Sequence, residues 1–161
     1  MFGGSDADDL PSSIGEVIDD VTTRGDIVPP DVRKRAERQA VRAVRSDAGH
    51  RFESDGFDMD TCEDAAHAVG SAGFPESVWY TSPDVVDDIR EWYDHRNTVG
   101  DHEADFDPAV MVANRHVRQA PDGVFDRNVM LLIGDGAVVP APLSVSRVVV
   151  RNPDGVAVVR L

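Results

Sequence analysis

The side chains best suited to chemistry in this sequence are carboxylates. Asp-x-Asp pairs at Asp6/Asp8, Asp58/Asp60 and Asp105/Asp107 offer the hard oxygens that divalent cations take. The stretch Asp101-His102-Glu103-Ala104-Asp105-Phe106-Asp107 is the densest run of metal-ligand types. Aspartate, however, is 23 of 161 residues, and three Asp-x-Asp pairs are what chance supplies at that frequency. The run 101–107 therefore reads as a solvated acidic loop, and no metal site is expected. Zinc deaminase chemistry needs a downstream Pro-Cys-x-x-Cys, and Cys62 is the one cysteine. No Walker loop, no Gly-x-Gly-x-x-Gly and no Gly-x-Ser-x-Gly elbow occurs. His50, His67, His95, His102 and His116 never take the His-x-x-x-His spacing of two ligands on one helix face, and His95 beside Asp94 is an isolated pair. Nothing forms a nucleophile, base and orienter set. Neither catalysis nor a cofactor is expected.

The one concentration of functional groups that departs from chance is basic. Arg33, Lys34, Arg35, Arg38, Arg42 and Arg45 place six of the sixteen Lys and Arg residues within one short segment. At 100° per residue, Lys34, Arg35, Arg38, Arg42 and Arg45 share an arc of about 100°, with Val32, Ala36, Ala40, Ala43 and Val44 opposite. Such a face could hold phosphate or an acidic protein. In a chain of formal charge -14, carboxylates of this subunit or of its neighbour are favoured over DNA as the partner. Arginine suits that role, because its planar fork is weakly hydrated and binds carboxylate bidentately. Arg35, Arg38, Arg42 and Arg45 are accordingly the candidate subunit or partner interface.

The elements that carry these residues follow from caps and periodicity. Residues 1–11 are Gly- and Asp-rich without an apolar period and read as an acidic flexible arm. Ser13-Ile14-Gly15-Glu16 has capping-box spacing and opens a short helix that Gly25 can close. Pro29-Pro30-Asp31 opens the basic helix, running to about Ala48. Further helices are expected from Thr61, from Ser82-Pro83-Asp84 and from Asp107-Pro108, the last with Val110, Met111 and Val117 inward. After the turn signal Ala120-Pro121-Asp122-Gly123, strands are expected at Arg127–Ile133, Leu143–Arg151 and Val156–Leu161, with Asn152-Pro153-Asp154-Gly155 joining the last two as a hairpin. The sequence thus predicts an α+β chain. A helical region over 12–123, an N-terminal bundle of about five helices, precedes a small antiparallel β region over 124–161, and 12–161 forms one compact domain.

Composition says where such a chain works. Asp outnumbers Glu 23 to 7, and Arg outnumbers Lys 15 to 1. This is the style of proteins from halophilic archaea and their viruses, whose carboxylate surfaces hold water and cations against competing salt. Self-repulsion at -14 opposes the compact state in dilute buffer. It largely disappears at about 1 M salt, where the screening length is roughly 3 Å. A lone cysteine excludes a disulfide scaffold and fits assembly in a reducing cell. The aliphatic run Val129–Ile133 falls far short of the roughly 20 residues a membrane span needs. Met1-Phe2-Gly3-Gly4-Ser5-Asp6 carries neither a basic nor an apolar region, so no signal peptide is expected.

Two segments read together give a resemblance. Val41-Arg42-Ala43-Val44-Arg45-Ser46-Asp47-Ala48-Gly49-His50-Arg51-Phe52 resembles the helix and "Gly-Arg-Arg-Phe" stretch of head–tail adaptor (connector) proteins of tailed viruses. Residues 138–150, with Pro140, Pro142 and Val145-Ser146-Arg147-Val148, followed by Asp154-Gly155, are similar to the ending of the same proteins. The resemblance implies a structural virion protein. It would form a ring, commonly of twelve subunits, between the portal protein and the next connector or tail protein. Genome DNA would pass through its lumen without specific binding. Localisation would be the virion, assembled in the cytoplasm of a halophilic host. The rival reading is a cytosolic haloarchaeal nucleic-acid-binding regulator that uses the basic helix over 31–48.

Overall fold

A computed structural model describes residues 30–96, 111–140 and 148–161; for Pro30, Val32, Arg33, Arg96 and Pro140 the description is of the backbone alone. The described elements, in chain order, are α1 (Pro30–Asp47), β1 (His50–Glu53), α2 (Met59–Ser71), β2 (Ser77–Thr81), α3 (Pro83–Arg96), β3 (Met111–Val112), β4 (Arg115–Gln119), β5 (Val129–Gly134), β6 (Val138–Pro140), β7 (Val148–Val150) and β8 (Val156–Arg160).

Six strands form one mixed sheet in the order β1-β8-β5-β2-β4-β3, and β6 and β7 pair as a separate two-stranded sheet. β1 runs parallel to β8 and β2 parallel to β4, while β5 is antiparallel to both β2 and β8. Each central strand is apolar at successive positions because both faces of the sheet are covered. Tyr80, Val129, Leu131, Ile133, Val156 and Val158 pack with Ala36, Ala40, Val41 and Val44 of α1 and with Val138 and Val148 of the small sheet. The alternate residues Trp79, Met130, Leu132, Ala157 and Val159 pack on the other side with Cys62, Ala65 and Val69 of α2 and Val85, Val86 and Ile89 of α3. The architecture is therefore three layers, with the sheet in the middle. Each fully buried Val, Leu or Ile contributes about 1.5–3 kcal/mol of transfer free energy to this arrangement.

Local chemistry sets the helix ends. Asp58 caps α2, its Oδ2 accepting from the Thr61 backbone N–H at 3.1 Å and the Thr61 hydroxyl at 2.6 Å. At the start of α3, Ser82 Oγ accepts from the Val85 N–H at 3.4 Å. Proline opens both α1 and α3. Two side chains of β2 tie strands of the sheet together: Trp79 Nε1 donates to Val112 O at 3.0 Å, and Thr81 Oγ1 donates to Val129 O at 2.7 Å.

This architecture corrects the expected α+β chain with a five-helix N-terminal bundle and a small C-terminal β region. Three helices and eight strands are present among the described residues, and strands begin at His50 rather than after Val124. The helix expected to run from Asp107 through Val117 is replaced over its described part by the hairpin β3–β4. Ala113 and Asn114 form its two-residue turn, both with positive φ (52° and 64°), as a type I′ turn requires. The terminal hairpin is absent as well. β7 pairs with β6, β8 pairs with β1 and β5, and Pro153–Gly155 is a single 3-10 turn that passes the chain from one sheet to the other. The arm over 1–11, the capping-box helix from Ser13, the run 101–107 and the prolines around Pro142 lie outside the described residues.

Candidate interaction surfaces

Helix α1 lies on one face of the sheet and turns its apolar stripe inward, and the four arginines singled out from the sequence divide into two pairs. Arg38 Nε donates to Gly123 O at 2.8 Å. Arg45 Nη1 meets Asp126 Oδ1 at 3.1 Å, with 22 % of the arginine side chain and 59 % of the aspartate side chain exposed. These two arginines hold the loop between β4 and β5 of their own chain against α1. Arg35 and Arg42 are exposed and make no hydrogen bond or ion pair with another described residue. Of the four residues singled out from the sequence, two are thus partly used within the chain and two point to solvent.

The buried stripe of α1 comprises Ala36, Glu37, Ala40, Val41 and Val44, while Ala43 is only half-buried. Glu37 sits in the middle of this stripe at 1 % exposure, and its Oε1 accepts from the Tyr80 hydroxyl at 2.9 Å. Tyr80 is paired in register with Arg118 of β4, placing both on the α1 face, and its ring meets Phe125 at 5.5 Å between centroids. Sequence reasoning missed this buried polar group. The helical-wheel angle of position 37, between those of Val41 and Ala40, was the signal that could have found it.

The opposite face is acidic. Asp84, Asp87, Asp88, Glu91 and Asp94 of α3 are all exposed, as are Asp60, Glu63 and Asp64 of α2. By sequence α1 carries six basic and three acidic residues, whereas α2 and α3 together carry eight acidic and two basic ones. Among the described residues, the helices on the two faces of the sheet therefore carry opposite net charge.

Between α2 and the β3–β4 turn lies an open polar cleft of about 450 Å³, lined among others by Glu63, His67, Ser71, Asn114 and Arg115. Arg115 is held by Ser77 Oγ (3.0 Å from Nε) and by Ala113 O (2.8 Å from Nη1), so it braces the strained turn. His67 Nε2 lies 3.4 Å from Ser71 Oγ, a marginal contact. His95, at the end of α3, is exposed. No group of three His, Cys, Asp or Glu residues suited to a metal exists among the described residues. The Asp58/Asp60 pair is explained by helix capping. Cys62 is a core residue: burial pushes its thiol up to about 12, with smaller contributions from the charges of Asp58 and Glu63. Among the described residues no helix is long and apolar enough to cross a membrane.

No family model matches the chain, and no curated protein matches it. Among solved structures it is similar to the crystal structure of a virus-like particle from Pyrococcus furiosus, at a TM-score of 0.43 and 13 % identity over 78 % of this chain. It spans 62 % of that chain's length, and a likeness at this level carries no functional conclusion.

Proposed function

We propose that this chain is a structural virion protein of a tailed virus of a halophilic archaeon. It serves as a head–tail adaptor, assembling as a ring between the portal and the next connector or tail protein and extending the DNA channel. It is a scaffold rather than an enzyme, and no cofactor is assigned to it. The observation that carries this reading is the meeting of the two segments that resemble adaptors. Gly49, within the first, donates its N–H at 2.8 Å to the carbonyl of Pro153, the residue before the Asp154-Gly155 of the second. His50 Nε2 lies 3.1 Å from Asp154 O. A Cβ at residue 49 would stand 2.5 Å from Pro153 O, so only glycine permits this approach. Residues about a hundred positions apart thus meet in one joint, at the Asp154-Gly155 that follows the second segment. The reading rests on this joint and not on the number of helices, which differs from expectation. The acidic composition supports a halophilic setting.

The test is the protein content of purified virus particles, by quantitative mass spectrometry against the portal protein. An adaptor is present in a fixed ratio to portal, close to one to one or a small multiple. Absence from particles, with the chain found only in infected-cell lysate, contradicts the reading. The rival regulator is tested in parallel by duplex DNA retardation. Binding that weakens steeply with salt, as phosphate contacts demand, would favour it.

A further inference from the structure

The basic stripe of α1 and the acidic stripe of α3 match in length and repeat. Arg35, Arg38, Arg42 and Arg45 span ten residue steps at spacings of three and four, about 15 Å at 1.5 Å per residue. Asp84, Asp87, Glu91 and Asp94 also span ten steps at the same spacings, with Asp88 beside Asp87. On α3 the five carboxylates cover an arc of about 120°, opposite Val86, Ile89 and Tyr93. None of the five forms an ion pair with a described residue, and neither does Arg35 or Arg42.

We propose that the basic stripe of α1, through its exposed Arg35 and Arg42, docks on the acidic stripe of α3 of a second copy of this chain. The inference rests on the adaptor reading for its biological setting, but its chemistry stands on charge complementarity alone. The two stripes lie on opposite faces of one sheet, so every copy offers one of each. The contact is therefore heterologous, and repetition leads to a closed ring or an open filament rather than a two-fold dimer. Charge here fixes partner and register more than affinity. At molar salt only ion pairs in direct contact escape a screening length of roughly 3 Å. Association is consequently weak in free solution and gains strength where a portal holds the copies side by side.

The test is a charge swap in the full chain, read by sedimentation velocity across a concentration series at roughly 0.5 M and 2 M KCl, salt levels set by the screening argument. Variant one carries Arg35→Glu with Arg42→Glu. Variant two carries Asp87→Arg with Glu91→Arg. All four residues are exposed, so circular dichroism should show both variants folded. Wild type associates. Each variant alone faces like charge with like, and its dissociation constant rises roughly tenfold or more. A mixture of the two regains the wild-type constant, because each interface then joins opposite charges. If the Asp87→Arg with Glu91→Arg variant does not fold, Asp87→Asn with Glu91→Gln takes its place, and the expected result is weakened association.

Variants that associate like wild type overturn the proposal, as does a wild type that remains monomeric throughout. Variants that are monomeric alone and remain so when mixed also overturn it. Destabilisation of the monomer by Arg35→Glu with Arg42→Glu would mean that the stripe serves this chain's own carboxylates instead, and that too overturns it. Successful swapping by a protein missing from particles would leave the docking in place and remove the adaptor reading.

Discussion

Replacing Gly49 by alanine probes the joint between the adaptor-like segments directly. The added Cβ would meet Pro153 O at 2.5 Å, Pro153 C at 2.8 Å and Asp154 N at 3.1 Å. All three are backbone atoms of the turn leading into β8, which is locked between β1 and β5. The contact is relieved only by moving one backbone away from the other, which lengthens or breaks the bond from the Gly49 N–H to Pro153 O. Overpacking of this kind costs about 1–3 kcal/mol, and a weakened hydrogen bond adds about 0.5–1.5 kcal/mol. Reduced chain entropy in the unfolded state returns about 0.4–1 kcal/mol. The net loss is about 1–3 kcal/mol, a fall in Tm of roughly 3–10 °C for a chain of this length. Thermal unfolding by circular dichroism in molar KCl measures it. Gly70→Ala is the internal control, since its Cβ would meet only Arg115 Nη2 at an ordinary 3.7 Å. That change lies within α2 and should stabilise by about 0.5–1 kcal/mol. A Gly49→Ala protein as stable as wild type would refute the reasoning, for it would mean that the approach to Pro153 is not fixed.

Three further outcomes follow from the core and the charge. Glu37→Ala leaves the buried Tyr80 hydroxyl without this acceptor and should cost about 1–3 kcal/mol in chemical denaturation; Glu37→Gln, which retains an acceptor oxygen, should cost less. Cys62 should resist alkylation at pH 8 until the protein unfolds. Its folded thiol titrates near 12 against 9.0 for a free one, so the unfolded state loses its proton first and the stability this thiol confers declines from about pH 9 upward; rapid labelling of the native protein would contradict the burial. The midpoint of thermal unfolding should rise with KCl into the molar range, because the chain carries -14; a midpoint that falls instead would remove the screening argument.

The helices were legible in the sequence where they begin with a chemical signal. Pro30-Asp31 and Ser82-Pro83 each mark a start that the structure keeps, while the start expected at Thr61 falls two residues earlier, at Met59, because Asp58 is the cap. β5 and β8 were legible as apolar runs too short for buried helices. β2 was not, because Ser77–Thr81 is buried at all five positions and shows no alternation. It lies between two helices in sequence, and its strand character comes from pairing with β4 and β5. β4 reads Arg-His-Val-Arg-Gln, polar at four of five positions, and gives no local hint of a sheet. The Asp107-Pro108 helix start outweighed the Ala113-Asn114 turn because alanine is an unusual residue at positive φ. The parallel pairing of β1 with β8 joins residues more than a hundred positions apart, which periodicity within one segment cannot register. At the interaction surface, the clustering of Arg35, Arg38, Arg42 and Arg45 was visible from spacing. Their division between an internal loop and solvent depends on where Gly123 and Asp126 fall in space. The acidic stripe of α3 was also present in the sequence, but an excess of aspartate everywhere concealed it.

The central claim is that this chain is a ring-forming component of a virus particle. Cryo-microscopy of intact virions, with the density between portal and tail resolved far enough to trace α1 and α3, tests it most directly. The account expects a closed ring of this chain at that position, with α1 of each copy alongside α3 of the next. A particle lacking the chain, or one holding it as a two-fold dimer away from the portal, would contradict it.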